Sequence, residues 1–490
     1  MVDISKYNHI LFIGVKGVAM ANLAIILKQS NKEVSGVDVA DEFITDIELK
    51  ENEIQVQNIN SYSINDTIDL VVYGASHGGK NNTIIQQAIQ KKISIITQAE
   101  LIGHIVSQYS QSIAVCGCHG KTNTTSFISF LLHRLRLDPT YLVGSSSFSG
   151  LPAGHRGSSE YIVYEADEYG VCPPDDKTSK LLYNKPKHVL CLNLDHDHPD
   201  MYPTFNDVKD TFLQYFNEQV QPDGNIYING DDVNLNIMKN NILKKVKTYG
   251  FNESNDIVIR IVRQTEEQTT ISLTISKNHG YARHGQVMDP HFAFDGINEW
   301  EFDLPFFGKL LVANCAGAIG LLLEIGCSGE EIQKNTMLFT GVKRRFEEIY
   351  HKGETWIFDD YAHHPTEIQA TLQAVRLRFP KKRIVVVFQP HTFSRTKLLA
   401  SQFAESLACA DIALIAPIYP SAREKFDNQV SSEMIEEYAK SMKKNNVKAF
   451  SNICKLTASF SSILQKGDVV FTMGAGDIYK LKNDIIRALE

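Results

Sequence analysis

No Cys-x-x-Cys pair, no basic run and no apolar segment long enough to cross a bilayer occurs in this chain, and each absence removes a class of function. Its eight cysteines are scattered through 490 residues rather than set at zinc-ligand spacing. Cys116 and Cys118, one residue apart around a glycine, are not a usual structural-zinc pair, and reduced thiols of a cytosolic protein fit the pattern better. A formal charge of −8 without a basic cluster disfavours nucleic acid and anionic membrane as partners. Ile10 to Leu27 imitates a signal peptide, but Lys16 and Asn22 interrupt it and no basic flank precedes it. Leu310 to Leu323 contains Asn314 and is too short to span a membrane, so it reads as a buried helix. With 15 prolines and 30 glycines there is little material for a long disordered linker. The expectation is a cytoplasmic protein.

What is present is ordinary globular material. The chain is 43% hydrophobic and 22% charged, and its length suggests about three domains. Strand–glycine–helix passages punctuate it. His9 to Ile13 reads as a strand, followed by Gly14 and Gly17 and a helical pattern from Ala19 to Gln29. Glu33 to Val37 is a second strand ending at Asp38, and Val71–Tyr73 and Ile93–Ile96 continue the series. Such alternation predicts a parallel sheet with helices on its faces, here a first domain over residues 1–108. Ile113 to Cys116, a glycine turn and a helix through about Leu135 open a second domain over 109–339. It has further strands at Tyr161–Tyr164 and His188–Leu192 and a β-like alternation from Ile257 to Ile275. A third domain over 340–490 carries strands at Arg383–Phe388, Ile412–Ile415 and Val469–Thr472.

The strongest local signal is Gly117–Cys118–His119–Gly120–Lys121–Thr122. A strand ends, a glycine turn aims backbone N–H groups inward, and a helix starts, which suits an anionic phosphate. Lys121 would lie against the β- and γ-phosphates, and the Thr122 hydroxyl would reach Mg²⁺. The full eight-residue phosphate-loop pattern fails at Val115, where it wants glycine. A helix start without a ligand stays open on this loop alone. Downstream, Glu165–Ala166–Asp167–Glu168 closes one strand, and Asp195–His196–Asp197–His198–Pro199–Asp200 follows another. Carboxylates and imidazoles at the C-terminal ends of parallel strands stand where α/β sheets bind ligands, and Mg²⁺ prefers oxygen ligands plus substrate phosphates. A solvated acidic turn is the alternative for residues 195–200.

Taken together these segments resemble the Mur ligase family. Gly117 to Thr125 resembles its ATP loop, Glu165 to Glu168 its Mg²⁺ segment, and Asn193 to Tyr202 the segment supplying a histidine ligand. Gly341 to Glu347 resembles the entry to the C-terminal domain. Asp359 to Glu367, Phe388 to Thr396, Pro417 to Glu424 and Met473 to Ile478 are similar to the branch that adds L-alanine to UDP-N-acetylmuramate. The likeness runs in order over nearly the whole chain. It implies three α/β domains: a Rossmann-like UDP-binding domain, a central P-loop ATPase-type parallel-sheet domain and a Rossmann-like C-terminal domain that binds the amino acid.

It also implies a reaction. The sugar carboxylate attacks the γ-phosphate of ATP, an acyl phosphate and ADP form, and the amine then expels phosphate. Such chemistry needs positioning and charge neutralisation more than a nucleophilic side chain. By match, Lys121, Arg345, Asp360 and His364 are catalytic, the last three arriving with a third domain that closes. Gly117, His119, Gly120, Lys121, Thr122, Asn123, Asn314 and Arg345 bind ATP, and Thr122, Glu165 and His198 hold Mg²⁺. Gly14, Gly17, Asp38, His198, His391 and Arg395 contact substrate, with Asp38 meeting a ribose hydroxyl as in dinucleotide folds. The implied partners are UDP-N-acetylmuramate and L-alanine, with no nucleic acid and no membrane, in a monomer or weak homodimer.

This chain departs from the family pattern in places. Lys16 and Val18–Ala19 stand where it is richer in glycine, Cys118 replaces a usual Thr, and Leu310–Leu311 replaces His-Asn ahead of Asn314. Glu168–Tyr169 followed by Asp175 to Lys180 resembles the related ligase that attaches a recycled L-alanyl-γ-D-glutamyl-diaminopimelate tripeptide. Tripeptide attachment and a catalytically weak nucleotide-binding regulator on the same fold are the alternatives to L-alanine addition.

Overall fold

The computed structural model describes residues 3–275, 298–420, 424 and 426–490. By their contacts these residues form two compact units. The first holds the chain up to Asp197, Thr204–Phe306 and Leu311–Thr340; the second holds His198–Pro203, Phe307–Leu310 and Gly341–Glu490.

The first unit contains two large sheets and a two-stranded one. The N-terminal one has five parallel strands in the order Gln55–Asn58, Glu33–Asp38, His9–Ile13, Leu70–Tyr73, Ser94–Thr97. The reversal of direction beside His9–Ile13 is where such a sheet opens a crevice at its carboxyl edge. The stretch that imitates a signal peptide is its first strand and helix: Val18–Gln29 buries every residue from Met20 to Leu27. Asn22, which breaks the apolar run, donates its amide to the Val143 carbonyl at 2.7 Å.

The central sheet has ten described strands. Its parallel core runs Ile257–Gln264, Val246–Gly250, Asn225–Asn229, His188–Cys191, Gln111–Cys116, Tyr161–Glu165, Thr140–Phe148. Antiparallel strands finish both edges: Leu151–His155 at one, Thr269–Ile275 and Asn298–Leu304 at the other. The alternation from Ile257 to Ile275 is thus two strands of a meander. Lys309–Glu324 is the expected buried helix, hidden from Val312 to Leu322.

A hairpin that belongs to neither large sheet packs on the N-terminal one. The hairpin Gly170–Cys172 and Asp176–Ser179, an excursion of the central chain, places Val171 and Cys172 among Leu11, Ile13, Val37 and Tyr73 of the N-terminal sheet. Gly103 passes so close to the Tyr183 carbonyl that a Cβ there would lie 2.0 Å from it. Apolar burial of this kind, at about 25 cal/mol per Å², resists separation.

The second unit is built on six strands in the order Glu347–Lys352, Thr355–Asp360, Val469–Met473, Ile384–Phe388, Ile412–Ile415, Val447–Ala449. The first pair is antiparallel and the rest are parallel. Apolar clusters line both faces, one around Phe358, Phe388, Phe403 and Phe471, the other around Leu414, Phe450, Phe460 and Ile485. Of the stretch Pro417 to Glu424, the residues Ser421, Ala422 and Arg423 lie outside the described ones.

Candidate active site

Three neighbouring strands of the central sheet end together. Glu165 pairs with Val115 in register, and Cys191 with Cys116, so the loops that follow meet at one carboxyl edge. The first is the glycine turn. Gly117 has φ 122° and Gly120 φ 88°, values that disfavour a side chain. A Cβ on Gly117 would also lie 2.9 Å from the Asn193 carbonyl oxygen. Asn193 braces the turn from the next strand: its Oδ1 accepts the His119 N–H at 2.8 Å and its Nδ2 donates to the His119 carbonyl at 2.8 Å. The His119 ring is buried, with Nε2 3.2 Å from Asp195 Oδ2. Cys118 is buried beside it, its Sγ 3.2 Å from the Asp195 carbonyl oxygen; burial, then Glu168, pushes the thiol well up and makes it inert.

Lys121 opens the helix Lys121–Arg134. Its Nζ donates to the Gly117 carbonyl at 2.6 Å and pairs with Glu168 Oε2 at 2.7 Å. Burial alone would lower its pKa, but Glu168 and then Asp167 raise it on balance, so the ammonium stays charged. Thr122 points its hydroxyl to Glu165 Oε2 at 3.2 Å, while Glu165 Oε1 accepts the Gly144 N–H. Asn123 is half-buried in the same first turn. Asn314 is wholly buried, and neither atom of its side-chain amide is hydrogen-bonded among the described residues. Its Nδ2 lies 2.5 Å from where a Cβ of Gly120 would sit.

A buried amide without partners is costly and calls for one. A glycine cradle, a lysine, a hydroxyl–carboxylate pair and this amide fit a phosphate chain carrying a hard cation. Thr122 and Glu165 offer the oxygen ligands. His198, with φ 57°, belongs to the short His198–Pro203 segment of the second unit.

In the N-terminal sheet, Gly14 has φ 75° and donates its N–H to the Val37 carbonyl at 2.9 Å. Gly17 caps the helix Val18–Gln29. Asp38 is buried and accepts three donors: the N–H groups of Lys16 and Val39, each at 2.8 Å, and His77 Nε2 at 3.1 Å. Burial would raise its pKa, but these donors, His77 foremost, lower it on balance. A cavity of about 590 Å³ with a mixed lining opens beside it, bounded among others by Lys16, Asp38, Leu49, Ile54, Gln55 and Asn58. Its volume suits a small-molecule ligand.

The second unit holds the remaining expected residues. Asp360 ends the strand Thr355–Asp360, accepting from the Ala362 N–H at 2.9 Å and from Thr371 Oγ1 at 3.1 Å. Burial pushes its carboxyl up to about 6, against the lowering by Arg345. The Arg345 guanidinium lies 4.7 Å from the centre of the Tyr361 ring. His364 caps the helix Pro365–Arg378, its Nδ1 accepting from the Thr366 N–H at 3.3 Å. His391 stacks on Tyr419 with ring centres 6.1 Å apart and stands edge-on to His363 at 6.2 Å. Arg395 is buried in the helix Phe393–Leu407.

Some contributors escaped the sequence reading. Glu168 reads from sequence as part of an acidic segment and of the tripeptide-branch likeness, with no link to the phosphate loop, yet it holds Lys121. Asn193 and Gly144 carried no signal of their own, and His77 went unnoticed in a turn. Neighbouring Arg344 is structural: it pairs with Asp359 at 3.0 Å, donates to the Gly474 carbonyl at 2.8 Å and covers the Tyr479 ring.

Parallel sheets, a glycine cradle and a lysine–threonine helix start define an α/β protein of the phosphate-loop class. Three family models match the chain in order: Mur ligase family, catalytic domain, at residues 9–110; Mur ligase middle domain at 115–322; and Mur ligase, glutamate ligase domain, at 344–476. The chain is 33% identical over 479 residues to a UDP-N-acetylmuramate–L-alanine ligase of Desulfitobacterium hafniense, covering 98% of this chain and 99% of that one. It is 34% identical over 484 residues to the protein of that name from Caldanaerobacter subterraneus, covering 98% and 97%. Among solved structures, it matches the UDP-N-acetylmuramate-alanine ligase MurC of Thermotoga maritima with TM-score 0.75 at 20% identity, over 98% of both chains. A murein peptide ligase of Psychrobacter arcticus matches with TM-score 0.72, also at 20% identity and over 98% of both. The chain belongs to the Mur ligase family and has its three-domain architecture.

Proposed function

We propose that this chain is an ATP-dependent carboxylate–amine ligase that joins L-alanine to UDP-N-acetylmuramate in peptidoglycan precursor synthesis, with domains at residues 1–108, 109–339 and 340–490. The observation that carries this reading is the convergence of Lys121, Thr122, Glu165 and Glu168 on one glycine turn. It is supported by relatives of that name aligned along 98% of the chain. In this reading a carboxylate oxygen of the sugar attacks the γ-phosphorus of ATP, and ADP leaves. The amine nitrogen attacks the acyl carbon, loses a proton, and the C–O bond to phosphate breaks. Lys121 neutralises charge on the transferring phosphoryl group, and Asn314 supplies amide hydrogen bonds to the nucleotide. Thr122 and Glu165 would hold Mg²⁺, with His198 for a second ion, and the metal would neutralise phosphate charge. Arg345, Asp360 and His364 complete the catalytic set, and His391 and Arg395 face the amine. The cytoplasm is the compartment that fits; no described helix is long and apolar enough to cross a membrane.

The test is ADP release from ATP with UDP-N-acetylmuramate and, in turn, L-alanine, glycine, L-serine and L-alanyl-γ-D-glutamyl-diaminopimelate. The expected order of kcat/KM places L-alanine first, with glycine and L-serine separated from it by about 10- to 200-fold at most, since one methylene-sized difference is worth roughly 1–3 kcal/mol. Preference for the tripeptide would replace the substrate and keep the ligase. No ADP release with any amine would leave the nucleotide-binding regulator as the better account.

A further inference from the structure

The stretch Asp175 to Lys180 has no task in the ligase reading. In the structure it is the return arm of a hairpin: Gly170–Cys172 leaves the acidic segment, and Asp176–Ser179 comes back antiparallel to it. Two hydrogen bonds fix the end of the return. Ser179 Oγ donates to the Glu168 carbonyl at 2.9 Å, and the Lys180 N–H to the Tyr169 carbonyl at 3.0 Å. Lys180 is thereby delivered to the segment Glu165–Glu168, whose three carboxylates each take a different partner. Glu165 Oε2 meets the Thr122 hydroxyl at 3.2 Å, Glu168 Oε2 the Lys121 ammonium at 2.7 Å, and Asp167 Oδ2 the Lys180 ammonium at 2.8 Å. Against the effect of burial, Glu168 and then Asp167 favour the Lys121 ammonium, so the two ion pairs lie side by side.

The two lysines are held differently. The Glu168 side chain is 2% exposed, and giving up Lys121 would strand a buried charge. The Asp167 side chain is 40% exposed, so water can solvate it when its lysine turns away. The Lys180 Nζ also lies 5.8 Å from the centre of the Tyr169 ring, a contact that keeps the ammonium near its place when the ion pair opens.

The far end of the hairpin reaches the N-terminal sheet. Asp175 at its tip accepts from Asn81 Nδ2 at 3.3 Å, and Cys172 packs so tightly on Gly79 that a Cβ there would lie 2.3 Å from its sulfur. Asn81 and Gly79 belong to the turn that follows the strand Leu70–Tyr73. A substrate with its nucleotide on that sheet and its reacting end at the Lys121 turn would run along this hairpin, and Lys180 stands at the end nearest the phosphate loop. Bringing a carboxylate up to a polyphosphate sets like charges together, and a cation beside the carboxylate offsets that repulsion.

We propose that Lys180 leaves Asp167 to bind the reacting carboxylate of the nucleotide-sugar substrate. The assignment rests on the ligase reading and deepens it: Lys121 serves the phosphoryl group, and Lys180 serves the group that attacks it.

UDP-N-acetylglucosamine, the same kind of nucleotide sugar without the lactyl carboxylate, isolates that contact. Calorimetric titration of it and of UDP-N-acetylmuramate into wild type and Lys180→Met, with a non-hydrolysable ATP analogue and Mg²⁺ present, tests the proposal. The wild-type preference for UDP-N-acetylmuramate is expected to shrink about 10- to 100-fold in Lys180→Met, as for loss of a charged hydrogen bond, with the affinity for UDP-N-acetylglucosamine unchanged. An undiminished preference overturns the proposal. Equal weakening of both ligands does so too, because it would make the lysine a support for the hairpin. Where Lys180→Met fails to fold, Asp167→Asn carries the test: with its competitor gone, Lys180 should enlarge the preference, and a preference unchanged or reduced overturns the proposal. If the wild-type chain binds both ligands alike, the ligase reading stands and this inference alone falls. If it binds neither, the ligase reading falls and takes this inference with it.

Discussion

The chain uses the same backbone device twice, and the two copies differ in what surrounds them. Gly14–Gly17 and Gly117–Gly120 both join a buried strand to a helix through a glycine of positive φ. At the first turn the neighbours are a buried aspartate and a histidine, and the aspartate already takes a turn N–H, that of Lys16. At the second they are a lysine, a threonine, two glutamates and an orphaned asparagine amide. A glycine turn on its own thus marks only where an anion fits. The side chains brought in from other strands decide whether the anion is held or its bond is broken.

The sharpest way to break this contrast is Lys121→Ala. Turnover is expected to fall by about 10³-fold or more, since the lysine meets charge that develops in the transition state. Loss of its ion pair leaves Glu168 buried, so stability should also fall, by roughly 3–5 kcal/mol. Adding Glu168→Gln should restore the unfolding midpoint in urea and leave turnover low. If Lys121→Ala kept near-normal turnover, the second turn would be a binding site like the first.

Next in size is the metal. Glu165→Ala should raise the Mg²⁺ concentration for half-maximal rate by about 10- to 100-fold. Gly144→Ala should shift it the same way by less, because a Cβ there would sit 2.7 Å from Glu165 Oε1. Unchanged Mg²⁺ dependence in both variants would make this cluster structural.

A smaller effect separates the two turns directly. Gly14→Ala places a methyl 2.7 Å from Ser76 Oγ on a strained backbone. It should raise KM for the UDP-sugar about tenfold while KM for ATP stays put. Gly117→Ala should do the reverse, and equal shifts in both substrates would end the division of labour.

The last expected effect, outside both turns, concerns stability in the second unit. The Asp360 carboxyl is held near 6 in the folded chain, above its ordinary 3.8. The folded state therefore binds this proton more tightly than the unfolded one. The stabilisation is complete below about 3.8 and lost as pH rises through about 6. Asp360→Asn should flatten the pH dependence of the urea midpoint between pH 4 and 6, by about 2–3 kcal/mol at most. A parallel pH curve in wild type and variant would show that burial does not penalise the charge.

Legibility followed sequence distance. The strand–turn–helix around Gly117 was readable because strand, glycines, lysine and threonine are contiguous, and Glu165 because it closes an apolar strand. The pairings were not readable. Lys121 meets Glu168 47 residues on, and His119 meets Asn193 74 residues on, through sheet order that local pattern does not give. Asp38 was found as a strand end, but its partner His77 sits in a turn whose three positive-φ residues no periodicity announces. The packing of Val171 and Cys172 on the N-terminal sheet was hidden for the same reason, since they belong to a short hairpin.

The central claim, that ATP activates a carboxylate at the Lys121 turn, is tested most directly by isotope transfer. UDP-N-acetylmuramate labelled with ¹⁸O in its carboxylate would be turned over with ATP and L-alanine, and the released phosphate examined by mass spectrometry. Because a carboxylate oxygen stays bonded to phosphorus when the amine displaces the acyl phosphate, one ¹⁸O should appear in each phosphate. Product formed with unlabelled phosphate would contradict the account.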